Sequence, residues 1–135
     1  MCRKFTASIY AQILPLSTTQ LSPRHLSTFD TYKEYRSSET CLRGFCSACG
    51  SSLSFRSEDA PDKIYILLGT LDEEVLVGEK VAGSGRETEF GVVWERKGGI
   101  GMPLAYQLYW ENAIPGVSDL LKDGKRHLTH PGEAL

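Results

Sequence analysis

No apolar run in the 135-residue sequence comes near the ~20 residues of a membrane span. The opening residues, Met1-Cys2-Arg3-Lys4-Phe5-Thr6, lack the apolar centre of a secretory signal. Internal repeats, coiled-coil heptads and long amphipathic stretches are also missing, which leaves a mostly β chain. Charge of one sign does not dominate either: 15 Lys and Arg stand against 17 Asp and Glu, a net charge of -2. That balance excludes a broad polyanion-binding face, and nucleic acid with it as the main partner. Cysteines number 4, and none follows Cys49. With no secretory signal, a disulfide framework is disfavoured and metal or redox chemistry gains weight. Together these absences predict a soluble cytoplasmic protein with no membrane partner.

A content of 41% hydrophobic and 24% charged residues is that of a folded chain. The length suits one domain with one core, expected over residues 1–126 and followed by a polar tail at 127–135. Alternation predicts strands over 8–16, with Pro15 marking the end, and over 29–36. Residues 17–28 read as a loop with one helical turn at 23–26. Residues 41–45 and 52–56 form a hairpin that carries Cys46-Ser47-Ala48-Cys49 at its tip. The strongest and most central strand is expected at 62–71, with a turn at Asp72-Glu73-Glu74. The apolar run 90–94 and a last strand expected at 103–110 carry Trp94 and Trp110, which read as core or half-core residues.

Cys46-Ser47-Ala48-Cys49-Gly50 has the spacing of a zinc knuckle. Two intervening residues let a tight turn aim both sulfurs at one metal, while backbone N–H groups of the turn hydrogen-bond the thiolates, and Gly50 supplies the positive φ such turns often need. The alternatives are a redox pair and an inert buried pair. The strand-like residues after Gly50 argue against the redox form, which usually opens a helix. A structural zinc takes four ligands. The other thiols are Cys2 and Cys41, and the imidazoles are His25, His127 and His130. Cys41 reads as a small buried side chain, with a ligand role as the alternative. His127 and His130 read as solvated. Asp72-Glu73-Glu74 reads as a solvated turn rather than a carboxylate pair. Gly83-Ser84-Gly85 lacks the third glycine and the setting of a dinucleotide loop.

The run Arg43-Gly44-Phe45-Cys46-Ser47-Ala48-Cys49-Gly50-Ser51-Ser52-Leu53 resembles the R-x-F-C-x-x-C-G-s-x-L signature of the glutathione-dependent formaldehyde-activating enzyme family, which includes centromere protein V. Tyr35-Arg36-Ser37-Ser38 resembles its Y-x-S-S, and residues 66–72 (ILLGTLD) resemble its v-x-x-G-t-L-D. Residues 2–8 resemble the end of its C-x-C-x-x-C-r-k-x-t-G-s motif. Residues 110–119 resemble the C-terminal segment of fungal-type members.

The resemblance implies a small zinc-knuckle, tent-like β fold of short antiparallel sheets. It implies zinc as cofactor, glutathione and an aldehyde as small-molecule partners, and a carbon–sulfur lyase run in reverse to give S-hydroxymethylglutathione. Family members hold a structural zinc with two N-terminal cysteines and the pair of F-C-x-x-C-G. A second, catalytic zinc is held by C-x-C-x-x-C, where an open position would activate the glutathione thiol or polarise the carbonyl. Carried over, Cys46 and Cys49 match half of the structural site, and Cys2 matches the last cysteine of the catalytic one. The departures are the four other family cysteines, Ala7 where glycine is usual and Gln107 where a late histidine is usual. They imply an N-terminally truncated member with impaired catalysis, or a non-catalytic binding or scaffold module. An exposed strand edge beside the knuckle and self-association through it follow as expectations.

Overall fold

Strands of five or six residues with apolar side chains every second position need pairing on both sides, and the three strands within residues 41–67 obtain it. The structure, a computed structural model, describes residues 3–23, 25–101, 106–120 and 124–129. It divides into two units, Met1–Leu71 and Asp72–Leu135.

The first unit opens with a one-turn helix, α1 (Arg3–Thr6), followed by β1 (Ile13–Ser17), β2 (Tyr32–Arg36), β3 (Cys41–Cys46), β4 (Ser52–Ser57) and β5 (Lys63–Leu67). They form one antiparallel sheet in the order β1-β5-β4-β3-β2. The strand expected over 8–16 is confined to β1, and Pro15 lies inside it, opposite Tyr65. An edge strand tolerates a residue without an N–H. β5 lies second from the edge, and β4 takes the middle. The strand expected to run on to 71 ends at Leu67. There a 3-10 turn, Leu68–Thr70, begins, and the Thr70 hydroxyl donates to the Leu67 carbonyl at 2.7 Å. β3 and β4, which flank the cysteine turn, are paired on both sides, so the edge expected beside the knuckle lies instead at β1 and β2.

Register sorts the side chains of this sheet into two faces. Tyr35, Arg43, Phe55 and Tyr65 are successive cross-strand neighbours on one face. The ring of Phe5 from α1 meets Tyr35 edge-on at 5.9 Å, and Phe55 meets Tyr65 at 5.4 Å. Glu34, Gly44, Ser54 and Ile66 cross the other face in the same way. There the Tyr32 hydroxyl donates to Glu34 Oε1 at 2.8 Å and lies 2.8 Å from Ser54 Oγ. Arg56 grips the same carboxylate through Nε (2.8 Å) and Nη2 (2.6 Å). Ser54 is fully buried. Burial above all, with the Glu34 hydrogen bond added, pushes the Tyr32 phenol up to about 12. The Arg56 fork first, then Tyr32, holds the Glu34 carboxyl below its ordinary range. Gly44 is required here because a Cβ would run into Ser54 Oγ and the Tyr32 hydroxyl. Among the described residues, the buried apolar ones, Tyr32, Ile64, Leu67 and Leu68, belong to this unit.

In the second unit, α2 (Glu73–Val77) replaces the turn expected at Asp72-Glu73-Glu74. Asp72 flanks its N-terminus and two glutamates fill its first turn, where acidic side chains suit the helix dipole. Gly78 ends it at φ +81, and a Cβ there would strike the Lys97 carbonyl. β6 (Gly78–Lys80) pairs with a later strand, β9 (Arg96–Gly98); between them β7 (Arg86–Thr88) and β8 (Gly91–Val93) make a hairpin. Gly85 makes room for the Trp94 ring, and Ser84 Oγ accepts the Glu95 N–H at 3.0 Å, which explains the Gly-Ser-Gly run. Trp94, expected in the core or half in it, is exposed at 37%, and Phe90 of the same apolar run at 90%. The last strand expected at 103–110 reduces to β10 (Tyr106–Gln107), parallel to β11 (Lys125–Arg126); residues 103–105 lie outside those described. Trp110 is half-buried in a 3-10 turn, with the Arg126 guanidinium 4.1 Å from its ring. Among the described residues, no helix is long and apolar enough to cross a membrane.

Candidate functional site

The antiparallel pairing of β3 and β4 dictates a tight reversal between them, and Cys46 and Cys49 sit at its two ends. Cys46 closes β3, and Ser47-Ala48-Cys49 form the turn. The Gly50 N–H donates to the Cys46 carbonyl at 2.8 Å, and the Cys46 N–H donates to the Ser51 carbonyl at 2.9 Å. Gly50 has φ +79, as the sequence requires of a knuckle. Ser47 anchors the tip from outside: its N–H (2.7 Å) and hydroxyl (3.0 Å) both donate to the Thr31 carbonyl.

Cys49 is exposed and Cys46 half-buried. The Ser51 hydroxyl lies 3.2 Å from Cys49 Sγ. That hydroxyl first, then the Ser51 backbone N–H and the Cys46 thiol, hold Cys49 below the ordinary thiol range. Two thiols on one turn, one of them biased toward thiolate, suit a soft divalent cation. They are two donors short of a tetrahedral structural site.

No other described residue completes the set. Among the described residues, no group of three or more Cys, His, Asp or Glu is placed to hold a metal. Cys41 pairs with Ser57 at the far end of β3, five residues from Cys46. At about 3.3 Å per residue that is roughly 16 Å, too far to share one metal. Cys41 is half-buried rather than a core residue. Cys2 and His130 lie outside the described residues. His25 is exposed, ahead of the 3-10 turn Leu26–Thr28. His127 departs from the solvated reading: its ring stands 5.2 Å from that of Tyr106, edge-on, and Nε2 is buried without a hydrogen-bond partner.

Sequence reasoning missed two features around the hairpin. Cys46 stands opposite Tyr32, so the Tyr32–Glu34–Arg56–Ser54 network begins beside Cys46, on the two strands that flank β3. An apolar cavity of about 240 Å³, lined by Leu26, Phe29, Thr31, Tyr32, Leu53 and Ile66 among others, adjoins the same segment. Its walls come from separate stretches of chain, and no spacing in the sequence brings them together. Leu53 reaches the cavity at the bulge where the β3–β4 register shifts, Gly44 facing Ser54 and Phe45 facing Ser52.

No curated protein and no solved structure matches the chain. A family model described as glutathione-dependent formaldehyde-activating enzyme does match, over residues 1–83. That stretch takes in the whole five-stranded sheet and its cysteine hairpin, and the chain belongs to this family.

Proposed function

We propose that Cys46 and Cys49 are zinc ligands at a knuckle, and that Cys2 is the residue of this chain belonging to the family's catalytic metal site. The activity class is the family's: glutathione and formaldehyde joined as S-hydroxymethylglutathione, a carbon–sulfur lyase in reverse. Of the family's seven ligand cysteines, Cys2, Cys46 and Cys49 have counterparts in this sequence, so these 135 residues alone turn that reaction over poorly or not at all. The observation that supports the metal reading is the hairpin tip. Its thiols share one turn, and the Ser51 hydroxyl and N–H stabilise the thiolate form of Cys49. A second reading, a non-catalytic zinc-knuckle binding module, is favoured by the lack of a third donor among the described residues.

Metal analysis of protein purified without chelator tests the site. The expected result is zinc below one equivalent per chain, lost on dialysis and absent from Cys46→Ser and Cys49→Ser but unchanged in Cys41→Ser. Stoichiometric zinc that survives dialysis, and that Cys41→Ser removes, would sink the assignment. Formaldehyde consumption separates the two functional readings. A rate with glutathione and zinc that clearly exceeds the spontaneous reaction establishes the enzyme, and its absence supports the binding module.

A further inference from the structure

Of the three arginines in the strands of the sheet, two are matched with a carboxylate and one is not. Arg36 forks onto Glu58 at 2.7 and 2.8 Å, Arg56 onto Glu34, and in the second unit Arg96 reaches Glu73 at 3.2 Å. Arg43, at the middle of β3, is more buried than any of them, at 8% exposure. Among the described residues no carboxylate pairs with it, and its Nη1 is buried with no hydrogen-bond partner. Leaving a guanidinium donor dry and unpaired costs free energy that a protein normally avoids.

What surrounds Arg43 is aromatic. Its guanidinium carbon lies 4.9 Å from the Phe5 ring centroid and 5.6 Å from that of Phe55. Tyr35 is its cross-strand neighbour, itself in ring contact with Phe5 and Phe45. Aromatic faces stabilise the cation. They leave its N–H donors, which lie in the plane of the group, without acceptors. A planar carboxylate is the acceptor that meets such donors edge to edge. The cover over this position is slight. α1 is four residues long and has no fully buried residue. Besides its ring contacts, it is held by the Ser52 hydroxyl, which donates to the Phe5 carbonyl at 2.6 Å. Ala7 follows it at φ +49, a left-handed conformation strained for a side chain with a Cβ.

We propose that Arg43 is the anchor of a binding site for a small carboxylate with an apolar body. The carboxylate takes the orphaned Nη1, and the apolar part takes the place of, or lies against, the Phe5 ring. The site is independent of the thiol pair: Arg43 faces the Tyr35 side of the sheet, whereas Cys46 stands opposite Tyr32.

Sodium benzoate is the probe and benzamide, of the same shape without the charge, its control. Both are titrated into the ¹⁵N-labelled full chain while the Arg43 side-chain N–H and the Phe5 and Phe55 amides are followed by NMR. The expected result is a saturable benzoate shift at these three residues, no such shift with benzamide, and benzoate binding at least about tenfold weaker in Arg43→Gln. Benzoate without effect on the unaltered chain overturns the proposal, as do equal shifts from benzamide. These two outcomes need no variant, so they decide the matter even if Arg43→Gln fails to fold. Unchanged affinity in a folded Arg43→Gln overturns it too.

Discussion

The two units solve the backbone hydrogen-bond problem differently. In the first, strands of five or six residues lie side by side five deep, and the three inner ones are paired along both edges. In the second, strands of two or three residues pair two at a time. Two-stranded ladders are marginal on their own, because neither face is covered and each strand keeps an open edge. The side chains follow. Among the described residues the buried apolar ones sit in the first unit, whereas Phe90, Val92, Val93, Leu120 and Leu128 of the second are exposed. A sheet paired on both sides can also hold polar groups in its interior, because every donor near Ser54 and Glu34 has a defined partner. The family match ends at residue 83, just past the first unit, so the family's defining residues coincide with the well-packed part.

The largest expected effect breaks the first unit at its tightest point. Gly44→Ala drives a methyl into Ser54 Oγ and the Tyr32 hydroxyl, both fixed by the network. Overpacking of this kind costs about 1–3 kcal/mol. Thermal denaturation should show the loss, and hydrogen exchange should place it in β2 to β5 and leave β7–β8 unchanged. Equal loss of protection in both units would show that the contrast between them is false.

Ionisation of the network comes next. Tyr32 is raised to about 12, so its contribution is complete below the unfolded tyrosine value near 10 and is lost as pH rises through about 12. Glu34 is lowered, so its contribution is complete above the unfolded glutamate value near 4.3 and is lost as pH falls through the folded one. Unfolding monitored across pH should therefore show alkaline destabilisation between roughly 10 and 12, which Tyr32→Phe removes at a cost of about 1 kcal/mol at neutral pH. Glu34→Gln should flatten the acid limb. An alkaline limb that persists in Tyr32→Phe would rule out this network as its source.

The sheet was legible where strand length and alternation were strong. Residues 41–46 and 52–57 show it: the hairpin, its cysteine turn and the positive φ of Gly50 all follow from local pattern. Pro15 misled because an edge position cannot be read from a sequence, and proline is an end signal everywhere except there. The acidic triplet at 72–74 misled because the same residues serve a solvated turn and a helix N-terminus. The network beside Cys46 was invisible. Its members are common polar residues, and only the register, Glu34 to Gly44 to Ser54, brings them together. In the second unit Trp94 reads as core or half-core from its apolar run, but apolar content predicts burial only where a partner face exists.

The smallest expected effect tests that last point. Phe90 occupies the two-residue loop of the β7–β8 hairpin, between Thr88 and Gly91, and is 90% exposed. Its backbone N–H is held by Thr88 Oγ1 at 3.2 Å, and Thr88 Oγ1 in turn donates to the Gly91 carbonyl at 2.7 Å. The loop is thus set by Thr88 and by Gly91 at φ +104, not by the aromatic ring. Phe90→Ser should change the midpoint of thermal unfolding by less than the equivalent of about 0.5 kcal/mol. Thr88→Val in the same hairpin should cost more, because it removes the hydroxyl that bridges the loop. A large loss in Phe90→Ser would mean that the ring is buried in solution against a surface other than the described residues of the second unit, which would then be incomplete by themselves rather than loosely built.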